Sequence, residues 1–239
     1  VGEPLSGVNV TLTDLNGRAL TPMPQLSGPP FASDPYRVQV TATHTPSAVF
    51  SETVGVLGGA VRNVIGSSVN FTGITVDGQA GSGFRYTFTL NRAVGPVSAT
   101  SRNFTLFPDQ LAFPSGPIVL SNLSDQAMPA VTLECQTSSK VLLSNIRADD
   151  GLVVQVQVLD RNGTLLPACT SPVDTGCLSG TTQETVVSGL VTFGNVIIQG
   201  TAGTGFVYRW TMLGGGPSLL SPLFSVYPGQ IVIAEGIAD

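Results

Sequence analysis

The 239-residue chain carries only 10 Lys+Arg and 15 Asp+Glu, so charged residues make up 10% of it, against about a quarter in ordinary soluble domains. Hydrophobic residues reach 42% and mean hydropathy is +0.31, which excludes a solvated disordered chain; the net charge of −5 and pI near 4.7 exclude a generic polyanion binder. With 28 Gly and 17 Pro, the composition suits many short strands joined by turns and suits long helices badly.

The chain opens at Val1 with no basic-then-apolar leader, and no apolar run approaches the roughly 18 residues a spanning helix needs. It reads as a mature, trimmed or internal piece of something longer. The first strand is predicted at Val8, Val10 and Leu12, which alternate with Asn9, Thr11 and Thr13. Asp14-Leu-Asn16-Gly17 then places Asx and Gly where a tight turn needs them. A Pro-rich stretch, Thr21–Pro30, precedes a second alternating run at Val38, Val40 and Ala42. His44 closes that run; it is the only histidine, and is expected at a strand end or surface.

From Phe71 to Leu90 the chain reads as strand, glycine loop (Gly78–Gly83) and strand, with Phe84, Tyr86 and Phe88 facing inward. The same order returns at Phe193–Met212, where eight of twenty positions are identical without a gap, among them Gly81/Gly203, Gly83/Gly205, Phe84/Phe206 and Tyr86/Tyr208. Downstream, Phe104 to Gln110 parallels Phe224 to Gln230. Upstream, Val8–Gly17 is matched to Val154–Gly163, since both join a Val-rich strand to Asp-x-Asn-Gly.

These anchors imply a duplicated module. Module one is expected over residues 1–109, without its opening strand and with an insertion at about 19–50; module two covers 110–228. Residues 229–239 then begin a further module, or supply a strand exchanged between copies, because Gln230-Ile-Val-Ile resembles Gln110-Leu-Ala-Phe. Strand spacing and alternation predict an all-β chain of two tandem antiparallel sandwiches of immunoglobulin-like type.

The order of these motifs resembles immunoglobulin-like repeats of the invasin and filamin type, found in bacterial surface adhesins and in algal cell-surface, gamete-adhesion and flagellar-hair (mastigoneme) proteins. The resemblance covers nearly all of both modules. It implies a non-enzymatic spacer, adhesion ectodomain or filament subunit rather than a particular ligand. It implies partners at a cell surface, protein, glycan or neighbouring copies of the chain, and neither nucleic acid nor membrane insertion.

Candidate site residues are few. Cys169 and Cys177 bracket a Pro/Gly loop and are read as a local disulfide; Cys135 is either buried and free or paired outside the chain. Five Asn-x-Ser/Thr sequons at Asn9, Asn70, Asn103, Asn122 and Asn162 are candidate glycosylation sites, and with the cysteine loop they point towards a secreted or cell-surface protein. A single Lys140 against nine Arg fits either a GC-rich genome or a packed assembly.

Catalysis is not expected. One histidine stands apart from any nucleophile, and the only adjacent carboxylate pair, Asp149-Asp150, is followed by Gly151 and reads as a solvated turn. Asp14/Asn16 and Asp160/Asn162 are too few oxygens for calcium and read as turn formers. No metal or cofactor is expected. Two alternatives stand beside the structural reading: glycan or protein binding through the module-one insertion, around Pro24–Tyr36, and an accessory domain of a secreted hydrolase.

Overall fold

The computed structural model describes residues 7–20, 37–47, 50–57, 60–64, 67–76, 79–90, 95–114, 118 and 120–230. The chain forms two compact units, one of residues 1–107 with Asp149–Gly151, the other of residues 108–148 with 152–239. The Pro-rich stretch and residues 231–239 lie outside the described residues.

In the first unit the strands are β1 (Val8–Thr11), β2 (Arg37–Ser47), β3 (Phe50–Val54), β4 (Val56–Leu57), β5 (Val61–Asn63), β6 (Ser68–Phe71), β7 (Thr75–Val76), β8 (Gly81–Leu90), β9 (Val97–Thr100) and β10 (Phe104–Leu106). In the second they are β11 (Gln110–Ala112), β12 (Asn122–Leu123), β13 (Val131–Gln136), β14 (Val153–Leu159), β15 (Cys177–Gly180), β16 (Gln183–Thr185), β17 (Leu190–Phe193), β18 (Val196–Gln199), β19 (Gly203–Met212), β20 (Ser218–Leu220) and β21 (Phe224–Tyr227). A single 3-10 turn, Ala148–Asp150, is the one helical element among the described residues.

Each unit is a two-layer sandwich. In the second, β12, β21, β19, β14 and β16 form one sheet in that order, and β11, β13 and β17 lie in the other layer with the β15–β18 pair. Period-two alternation puts Val154, Val156 and Val158 of β14 and Phe206, Tyr208, Trp210 and Met212 of β19 inside. Leu133 and Cys135 of β13 and Val191 and Phe193 of β17 complete that core. Each such large side chain contributes about 1.5–3 kcal/mol by leaving water. The first unit repeats the plan, with Val38, Val40, Ala42, Phe84, Tyr86 and Phe88 packed with Val69, Phe71, Ile74 and Val76. The β11-β13-β17 sheet, its β14-β19-β21 counterpart and the parallel β12–β21 pair follow immunoglobulin strand order. The protein is all-β, two tandem immunoglobulin-like antiparallel sandwiches.

Register corrects the sequence alignment of the repeat. Val8 and Val10 of β1 stand opposite Phe71 and Val69, as Val131 and Leu133 of β13 stand opposite Phe193 and Val191. Val38, Val40 and Ala42 of β2 face Leu90, Phe88 and Tyr86, as Val154, Val156 and Val158 face Met212, Trp210 and Tyr208. So β1 corresponds to β13, and β2 corresponds to β14. The counterpart of the Asp14–Gly17 turn is Thr137–Lys140, not Asp160–Gly163.

The turn hydrogen bonds agree with that assignment. Asp14 N–H donates to Arg18 O (2.9 Å) and Leu20 N–H to Leu12 O (3.0 Å), as Thr137 N–H donates to Val141 O (2.9 Å) and Leu143 N–H to Cys135 O (2.9 Å). The Asp-x-Asn-Gly strings match because one local turn chemistry closes hairpins at the ends of different strands: Asp14 Oδ1 accepts from Asn16 and Arg18, and Asp160 Oδ1 from Asn162 and Thr164. Measured against its true counterpart, the first module has almost no length excess. Gly17 stands 54 positions before Phe71, and Lys140 stands 53 before Phe193. The range 19–50 expected for an insertion contains β2 itself, and the stretch before β2 is seven positions longer than its counterpart (Gly17 to Val38, 21; Lys140 to Val154, 14), offset by a shorter stretch after it.

The glycine stretch is not wholly a loop either. β8 and β19 begin at Gly81 and Gly203 and keep pairing through a register shift with β10 and β21. The bulge needs glycine: φ is 83° at Gly83 and 85° at Gly205.

Candidate functional site

β2 continues past Ala42 where β14 turns away, and this carries His44 into the first unit opposite Phe84, with the rings stacked at 4.2 Å. His44 is only 4% exposed and Asp150 only 1%, so the histidine lies near a strand end but not at the surface, and of the carboxylate pair expected in a solvated turn Asp149 is exposed while Asp150 is buried. The His44 Nε2 lies 3.2 Å from Asp150 Oδ1 and 3.0 Å from Ser82 O. A carbonyl oxygen can only accept, so Nε2 carries the hydrogen and is a donor. Ser82 Oγ donates to Asp150 O at 2.6 Å. Gly81 makes room, since a Cβ there would sit 3.0 Å from His44 Nε2 and 3.1 Å from Asp150 Cβ.

Serine, histidine and aspartate therefore meet, but not as a nucleophile and its base. The Nε2 hydrogen is given to Ser82 O, Asp150 Oδ1 stands at ion-pair distance only, and the serine hydroxyl is spent on a main-chain carbonyl, so no atom is poised to take a proton from Ser82. The cluster is a buried clamp. The signal for it in the sequence was weak: a lone histidine on an apolar alternating run and an Asp-Gly pair some hundred residues later.

The other candidates are dispersed. Cys169 and Cys177 are joined, with Cα atoms 5.1 Å apart. Asp174 Oδ2 binds the Thr170 and Ser171 amides and the Thr170 hydroxyl inside that loop, and those hydrogen bonds hold its carboxyl below the usual range. Cys135 is buried and free, its thiol pushed up to about 12 by burial. Asn9, Asn70, Asn103 and Asn162 are exposed. Asn122 is different: its Nδ2 donates to Gln126 O (2.9 Å) and Ala127 O (2.7 Å). Among the described residues no group of three His, Cys, Asp or Glu is placed to hold a metal, and no helix is long and apolar enough to cross a membrane.

The two units differ in the pairing of their first inward-facing strand. In the second unit β13 lies between β17 and β11, and Val131, Leu133 and Cys135 are 4%, 0% and 0% exposed. In the first, β1 pairs only with β6 among the described residues, and the equivalent Val8, Val10 and Leu12 are left half-buried against the core.

No protein-family model and no curated protein matches the sequence. Among solved structures, the tandem Ig repeats of Dlar align over 93% of this chain and 81% of that one at 14% identity and a TM-score of 0.21. The N-terminal Ig1-2 module of the Drosophila receptor protein tyrosine phosphatase DLAR aligns over 81% of this chain and 84% of that one, at 13% identity and a TM-score of 0.22. The fold assignment rests on the strand order and register of this chain.

Proposed function

We propose that the chain is a non-enzymatic repeat segment of an extracellular protein, in which the sandwiches serve as spacers and as surfaces for adhesion or lateral assembly. The observation that carries this is the conjunction, on one all-β scaffold, of a disulfide and four exposed sequons on surfaces nearly free of charge. Disulfides persist in oxidising compartments, and glycans solubilise a surface that few charges protect. The modules run over 1–109 and 110–228, and residues 229–239 open a further module or supply an exchanged strand. The resemblance to invasin- and filamin-type repeats supports reading it as part of a surface adhesin, a gamete-adhesion protein or a flagellar-hair subunit.

The alternative, glycan or protein binding around Pro24–Tyr36, keeps a support: Gly17 to Val38 spans 21 positions where the counterpart Lys140 to Val154 spans 14. The test of the extracellular reading is expression behind a secretory leader. We expect secretion with Cys169 and Cys177 oxidised and a mass that falls on enzymatic deglycosylation. An unglycosylated product that folds equally well with reduced thiols in a cytosolic host would overturn it.

A further inference from the structure

We propose that the Cys169–Cys177 disulfide is a redox-sensitive latch. It holds residues 167–169 as a cover on the outer edge of β15, and its reduction by a small dithiol opens that edge while the second sandwich stays folded. The first support is what the loop does to β15. On one side β15 pairs with β18. On the other, Leu178 N–H donates to Pro167 O (2.8 Å) and Cys169 N–H donates to Leu178 O (2.9 Å), with Ala168 bridged to Leu178 in parallel. Both main-chain groups of Leu178 are thus spent on the cover, and Cys177 and Leu178 are 3% and 5% exposed. Without the cover those groups form an open edge that another strand can pair with.

The second support is that the core does not hold the cover. None of residues 167–176 is buried, Pro167 and Ala168 are exposed, and Val173 is 82% exposed. The bonds that Asp174 accepts from Thr170 and Ser171 stay within the loop. Leu166 N–H to Val158 O (2.9 Å) and Gly176 N–H to Gln199 O (2.8 Å) fix the two ends, and between them Gln199 Nε2 donates to Pro172 O. Hydrogen bonds of this kind add little net stability in water, less than the entropy lost in ordering the segment they would have to fix. The covalent link makes up the difference.

The third support is the counterpart in the first unit. Val56 of β4 faces Val76 as Leu178 of β15 faces Ile198, so Gly55 holds the place of Cys177. The chain reaches β4 from β3, which is held by a sheet: Val54 and Thr53 pair with Ala42 and Thr43 of β2. The second unit has no strand between β14 and β15, and has the cystine instead.

The exchange is balanced by the dithiol. Cys169 is half-buried and Cys177 buried, so a thiolate of the reagent attacks Cys169 Sγ, the bond between the two sulfurs breaks, and Cys177 leaves as a thiolate. The reagent's second thiol then displaces Cys169 and closes a cyclic disulfide. The reagent is oxidised, the cystine is reduced, and the reagent's thiol protons end on the cysteine sulfurs.

The experiment uses the full chain, with dithiothreitol at neutral pH and no denaturant, followed by hydrogen exchange. After reduction the Cys169 and Leu178 amides should exchange at nearly the rate of an unstructured peptide, a gain of about a hundredfold or more, while Val156 and Trp210 remain far slower. Reoxidation should restore the protection. Iodoacetamide should alkylate Cys169 and Cys177 of the reduced chain but not the buried Cys135. Cys169→Ser with Cys177→Ser should show the reduced exchange pattern without reagent. A disulfide that resists dithiothreitol until denaturant is added, a Leu178 amide as protected after reduction as before, or Val156 and Trp210 exchanging as fast as Leu178 would each overturn the proposal. The secretion and glycan test of the extracellular reading is independent of these readouts.

Discussion

Asn9 of β1 stands directly opposite Asn70 of β6, both exposed, so two glycosylation sequons share one cross-strand pair. Opposed Cβ atoms in an antiparallel pair are about 4.5–5.5 Å apart, less than the width of a sugar ring and its shell of water. At most one of the two should carry a glycan in any molecule. Intact mass of the secreted chain should show singly occupied species at this pair, and Asn9→Gln should raise the occupancy of Asn70. Asn122, whose Nδ2 holds the 126–127 turn, should be empty in the folded product, as glycopeptide mapping would show.

Ser101 and Ser221 make the same clamp in the two units. Each hydroxyl accepts from a tyrosine amide (Tyr86 or Tyr208, both 2.9 Å) and donates to the next carbonyl (2.8 Å to Arg102, 2.7 Å to Pro222). Replacing Ser221 by Ala leaves a buried amide without its partner, at a cost of about 1–3 kcal/mol. Urea denaturation should show that loss, and a smaller one for Ser101→Ala, where solvent is closer.

His44→Ala removes a buried ring stacked on Phe84 together with the donor to Ser82 O, and should destabilise the first unit by about 3–5 kcal/mol. Gly81→Ala should be comparably damaging through its contacts with His44 and Asp150, while Gly203→Ala meets only Phe206 at 3.6 Å. Hydrogen exchange resolved by unit would separate these effects. Equal damage at Gly81 and Gly203 would contradict the clamp.

Alkali should destabilise the fold. Burial raises the Cys135 thiol to about 12 and raises the Tyr86 and Tyr208 hydroxyls above their usual range. A group whose acid form is favoured by folding contributes stability that is complete below its unfolded pKa and lost as pH rises above it. Stability should therefore decline from about pH 8.5, the ordinary thiol value, towards 12. Thiol reagents at pH 8 should leave Cys135 untouched until denaturant is added.

The Cys169–Cys177 loop should respond oppositely to pH. Asp174 is held below its normal range by Thr170 and Ser171, so its bonds are present above the unfolded carboxyl pKa and lost as pH falls through the lowered folded value. The Thr170 and Ser171 amide resonances should shift only in strong acid. Cys169→Ser with Cys177→Ser should cost about 2–3 kcal/mol from loop entropy, since the sequence separation is 8.

The strands were legible because period-two alternation and turn chemistry are local: Val154/Val156/Val158, Phe206/Tyr208/Trp210 and the Asp160–Gly163 turn each announce themselves within a few residues. The duplication was legible for the same reason, wherever identical side chains meet identical backbone, as at Gly83 and Gly205. Where two different strands end in the same turn, local chemistry carries no label, and Asp14–Gly17 was assigned to the wrong hairpin. Only pairing across the sheet, Val8 with Phe71 and Val131 with Phe193, resolves which strand is which.

The candidate sites divide in the same way. Sequence alone determined an all-β, turn-rich duplication poor in charge, because those properties are sums over local choices. Tertiary structure decided that His44 and Asp150 are buried together and that β1, which pairs only with β6 among the described residues, is the counterpart of β13, which is covered on both sides. Burial and edge pairing depend on residues far apart in the chain, and no window of sequence contains both partners.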